Sequence, residues 1–92
     1  MATTTAQLRG ADVHIQSTTG GDALAAALSR AIDGSPFQVA AVEAVGPAEH
    51  RCAFRVKRSG TAIGYRNIID LQHRLAQQFD IVRVERTAGI AS

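Results

Sequence analysis

His14, His50, His73 and the single cysteine Cys52 are the residues of this chain best equipped to bind a metal or attack a substrate. Zinc sites draw ligands from set spacings, and no HxH, HExxH or Cys-His pair occurs here. Cys52 falls on the inward side of an alternating stretch, where a thiol acts as a small inert hydrophobe. Asp70 and His73 stand i, i+3 in a helix-period stretch, a spacing typical of a surface ion pair. A Ser-His-Asp relay would rest on geometry that no spacing here supplies. Gly60-Thr61-Ala62-Ile63-Gly64 is glycine-rich but lacks the lysine of a phosphate loop, and reads as a flexible lead into a helix. The expectation is a protein that is not an enzyme, with no cofactor and no metal.

Binding chemistry is better represented. Ser17-Thr18-Thr19-Gly20-Gly21 runs from a strand pattern into a helix pattern. At such a junction unpaired N–H groups and the helix dipole can hold a carboxylate or phosphate. Glycines there also serve a turn that needs positive φ. These five residues are the candidate small-ligand site. Arg51 and Arg55, alternating with Cys52 and Phe54, face away from the core side of their strand and are candidate interaction residues.

The elements that must position these groups recur in one order. Val13 and Ile15 alternate with Asp12, His14 and Gln16, the period of a half-buried strand. Leu24, Leu28, Ala31 and Ile32 then form one helical stripe, which Gly34 and Pro36 end. Phe37 to Val45 reads as a second strand with Phe37, Val39 and Ala41 inward and Ala40 and Val42 outward. After a turn at Gly46-Pro47-Ala48-Glu49 the order repeats. A strand over Arg51–Lys57 places Cys52, Phe54 and Val56 inward. A helix over Tyr65–Phe79 carries Ile68, Leu71, Leu75 and Phe79, and a strand over Ile81–Arg86 turns Val82 and Val84 inward.

Two β-α-β units imply an α+β, ferredoxin-like βαββαβ sandwich. Right-handed crossovers put both helices on one face of a four-stranded antiparallel sheet of order 4-1-3-2. The other face is left bare. Residues 1–10 are expected to form a flexible tail or linker, 11–87 the single domain, and 88–92 a frayed tail.

Composition agrees with one small core: 92 residues, 46% hydrophobic and 20% charged. Ten Lys and Arg stand against eight Asp and Glu, and only Lys57-Arg58 are adjacent cations, short of a nucleic-acid or lipid cluster. The longest uncharged apolar run, Ala23–Ser29, cannot span a bilayer, and Met1–Arg9 lacks the pattern of a signal peptide. No direct membrane insertion is expected, and the cytoplasm is the expected compartment.

The stretch from Val13 to Leu28, followed by Phe37 to Val45, resembles the opening of ACT domains; Leu71 to Arg86 resembles their close. The resemblance covers about residues 12 to 87. The soluble C-terminal domain of MgtC/SapB-type membrane proteins is one parent consistent with it. It implies regulation by association: a homodimer or docking onto a parent-protein domain, with a small-molecule effector at Ser17–Gly21. The family's Asp-x-Pro-Gly pattern is replaced here by Thr18-Thr19-Gly20.

A rival reading is a nucleic-acid-binding module using the open sheet face, since RNA-recognition motifs share the topology. Arg51, Arg55 and Lys57 would supply cations, but the stacking aromatics of such modules are absent from the outward positions, so nucleic acid is not the expected partner. The uncharged run Phe37–Val42 is expected at a sheet edge, with Ala40 and Val42 available to a second chain.

Overall fold

A computed structural model describes residues 6–58 and 63–90. Its elements, in order, are β1 (Ala6–Gln16), α1 (Gly21–Ala31), β2 (Phe37–Ala44), β3 (Glu49–Val56), α2 (Tyr65–Ala76) and β4 (Asp80–Ile90). The sheet is antiparallel with order β2-β3-β1-β4, which is the ferredoxin-like arrangement.

The core lies between the sheet and the two helices, because every apolar stripe points there. Val13, Ile15, Cys52 and Phe54 from the central strands meet Leu24, Leu28 and Ile32 from α1 and Ile68, Leu71 and Leu75 from α2, all buried. Gly34, at φ 85°, lies in the turn after α1, in a conformation that favours glycine. Ser35 follows with its hydroxyl donating to the Ile32 carbonyl at 2.6 Å.

Several boundaries differ from the sequence reading. β1 begins at Ala6, so residues 6–10, expected as tail, are strand, and β4 continues to Ile90 rather than stopping near residue 87. The reason is mutual pairing, Ala6 opposite Ile90 and Gly10 opposite Thr87, a tertiary constraint with no local pattern. α2 ends at Ala76, and Phe79 packs on the core from a turn. The lead into α2 lies partly outside the described residues, which resume at Ile63.

Two bulges change which residues face inward. In β2 the register slips between Val39 and Ala41, pairing Val39 with Phe54 and Val42 with Cys52. Val42 therefore packs against the core and Ala41 is exposed, the reverse of strict alternation. In β4 the register steps from Arg83 opposite His14 to Ile81 opposite Ile15, leaving Val82 as the extra residue. Ile81 and Val84 pack on the core, and Val82 is 47% exposed instead of inward.

Candidate functional site

The end of the domain that carries the β1–α1 loop also carries the β2–β3 turn and the α2–β4 turn. Between them opens a groove of about 690 Å³. Its apolar floor includes Leu24, Ala27 and Phe79; its polar rim includes Ser17, Thr18, Thr19, Gln77 and Gln78. Asp80 is the one ionisable side chain of the lining. Hydroxyls and amides around an apolar floor suit a small polar molecule, since each can turn a donor or acceptor inward.

The loop is held by its own side chain. The Ser17 hydroxyl donates to the Thr19 carbonyl at 2.9 Å and accepts from the Thr19 N–H at 3.1 Å, and the Ser17 N–H donates to the Ala48 carbonyl at 2.8 Å. Ser17 is thereby committed to the loop, leaving Thr18 and Thr19 for a ligand. Gly20 is the residue before α1 and gives it no side-chain cap; Asp22 lies in the first turn, where its carboxylate meets the positive helix end. A Cβ on Gly20 would lie 2.9 Å from His50 Nε2, and Gly21 adopts φ 60°.

Of the five loop positions proposed from sequence, Ser17, Thr18 and Thr19 line the groove. Gly21 lines a different, smaller cleft of about 240 Å³ shared with Asp22 and the Val39–Val42 stretch of β2. The sequence reading missed Gln77, Gln78 and Asp80 because it carried the second helix through Phe79, hiding the turn that forms the far wall.

On the open sheet face the arginines described stand beside carboxylates. Arg51 meets Glu43 at 3.0 Å, Arg55 meets Asp12 at 3.0 Å, and Arg83 meets Glu85 at 2.9 Å. His14, expected as an outward polar residue, is only 4% exposed. Its Nδ1 lies 3.1 Å from Glu49 Oε2, while Nε2 lies 3.5 Å from Glu85 Oε1 without forming a hydrogen bond. Arg51 and Arg55 share this face, but Val42 lies on its reverse, so the four proposed interaction residues do not form one surface.

The remaining chemistry is dispersed. His14 and His50 occupy opposite faces of the sheet, and His73 lies on α2. Among the described residues no group of three or more potential ligands is placed to hold a metal ion. Asp70 pairs with Arg74 at 2.7 Å rather than with His73. Burial pushes the Cys52 thiol up to about 11, so it stays protonated at neutral pH and is a poor nucleophile. No described helix is long and apolar enough to cross a membrane.

No protein-family model matches the chain, and no curated protein matches it. The chain is similar to the crystal structure of TT0538 protein from Thermus thermophilus, with a TM-score of 0.83 and 22% identity over 98% of its own length. It spans 21% of the length of that protein. At this identity the likeness establishes the fold, and shows it carried as one part of a longer chain.

Proposed function

We propose that this chain is a non-catalytic, ACT-like regulatory domain that acts by self-association or by docking within a longer parent, and that it senses a small polar effector. A bacterial, cytoplasmic setting, including the cytoplasmic part of an MgtC/SapB-type membrane protein, fits that reading. The observation that carries it is the groove between the β1–α1 loop and the α2–β4 turn. Its size suits a small molecule, its rim offers hydroxyls and amides, and Asp80 gives an ammonium or other donor group a partner. An amino-acid-sized effector satisfies all three features. The nucleic-acid reading is disfavoured because Arg51, Arg55 and Arg83 each face an acidic partner on the open face.

The test is a backbone NMR titration with a panel of free amino acids and small amines. The expected result is saturable shifts at Thr18, Thr19, Gln77 and Asp80 for at least one compound, lost in Thr19→Val and weakened in Asp80→Asn. Absence of any saturable shift at millimolar concentration overturns the ligand-sensing half of the proposal.

A further inference from the structure

The β2 edge, which uncharged sequence singles out, is poorly suited to receive another strand. Its bulge at Ala40 breaks the row of outward N–H and C=O groups in the middle of an eight-residue strand. The opposite edge differs. β4 has 11 residues, and its own bulge at Val82 lies near its start. The next register slip, between Leu8 and Gly10 of β1, falls opposite Ala88 and Thr87, so β4 runs in regular register from Arg83 to Thr87. Large exposed apolar side chains concentrate beside it: Tyr65 and Ile69 on α2, 61% and 49% exposed, and Val82 on β4. Arg86 lies over the Tyr65 ring at 4.6 Å, joining the flank of α2 to the strand as one surface.

We propose that the β4 edge and the adjoining flank of α2 are the association surface, and that their occupant is a second copy of this chain. This rests on the self-association half of the function proposed above and says where it occurs. The choice of a second copy comes from charge. Arg83 and Glu85 stand opposite His14 and Asp12 and so share the open face. Antiparallel pairing of β4 with the same strand of a second copy, about a two-fold axis through Val84, sets Arg83 across from the partner's Glu85, and Glu85 across from the partner's Arg83. Both cross-strand pairs join opposite charges, the favourable case on a sheet face. An axis normal to the sheet keeps all helices on one side. It yields one eight-stranded sheet and brings the α2 flanks together, covering Ile69 and Tyr65.

Sedimentation equilibrium of the whole chain, from micromolar to millimolar concentration, reads the surface. The wild type is expected to dimerise, and Ile69→Lys to weaken the dimer by about tenfold or more. Arg83→Glu places like charges across the axis and is expected to do the same, while the double variant Arg83→Glu/Glu85→Arg restores association. Ala40→Lys, on the β2 edge, leaves the dimer intact. Circular dichroism confirms that each variant is folded, and Ile69→Lys, at an exposed helical position, carries the test should a strand variant not fold. A dimer that ignores Ile69→Lys and Arg83→Glu but dissociates with Ala40→Lys overturns this surface and leaves the self-association reading standing. A wild type that stays monomeric throughout overturns both.

Discussion

Gly10 shows how one residue can be fixed by a contact remote in sequence. A Cβ at this position would overlap the carbonyl oxygen of Phe54 on β3, so the two strands can approach only if position 10 has no side chain. Gly10→Ala is therefore expected to cost roughly 1–3 kcal/mol, as overpacking does, measured by urea denaturation. Gly20→Ala meets only the His50 ring, a movable side chain, and is expected to cost less. Cys52 gives a pH signature. Its thiol is raised from 9.0 to about 11 by burial, so the folded protein keeps a proton that the unfolded chain releases. The unfolded state then binds fewer protons between these values, and stability falls as pH rises from about 9 to about 11. Denaturation midpoints across that range are expected to decline less steeply in Cys52→Ala, and the wild-type thiol should resist alkylation at neutral pH until unfolded.

At the scale of elements, the bulges decide which side chains the edge strands bury. Inserting Ala40 lets β2 twist and shifts Val42 into line with Cys52, so a residue that alternation sends outward joins the core side. Val42→Lys is expected to destabilise the fold by about 1–3 kcal/mol, against less than about 0.5 kcal/mol for Ala41→Lys, compared by thermal unfolding. A larger loss for Ala41→Lys than for Val42→Lys would mean that strict alternation holds and the bulge does not. The same logic separates Ile81 from Val82 on β4: the register step leaves Val82 exposed beside an Ile81 that packs on the core.

At the scale of the whole molecule the shape is elongated, 50 × 26 × 19 Å, with a radius of gyration of 13.5 Å. A compact chain of this length would measure about 12 Å. The excess comes from β1 and β4, which continue as a two-stranded ribbon past Gly10, the last β1 residue paired with β3. Such ribbons are marginal without a further strand or a packed face. Amide exchange at Ala6–Arg9 is expected to be orders of magnitude faster than at Val13 or Cys52, where opening requires loss of the core. Within that core, Leu28→Ala is expected to cost about 2–5 kcal/mol, a large share of the stability of one small domain.

What the sequence determined by itself is what local periodicity encodes. The alternation of Val13 and Ile15, the stripes Leu24-Leu28-Ile32 and Ile68-Leu71-Leu75, and the stop at Gly34-Ser35-Pro36 specify two β-α-β units, and crossover handedness turns these into a sheet of order 4-1-3-2. The loop Ser17–Thr19 was legible as a candidate site because hydroxyls and glycines between a strand and a helix are a local signal. Tertiary structure decided what depends on a partner strand. The length of β1 and β4 follows from their pairing with each other, the inward turn of Val42 from the register slip against β3, and the far wall of the groove from where α2 ends. Burial of His14 was decided in the same way. Its position in an alternating strand says outward, but Glu49 from β3 and Glu85 from β4 close over it, and side chains so remote in sequence meet only once the sheet has formed.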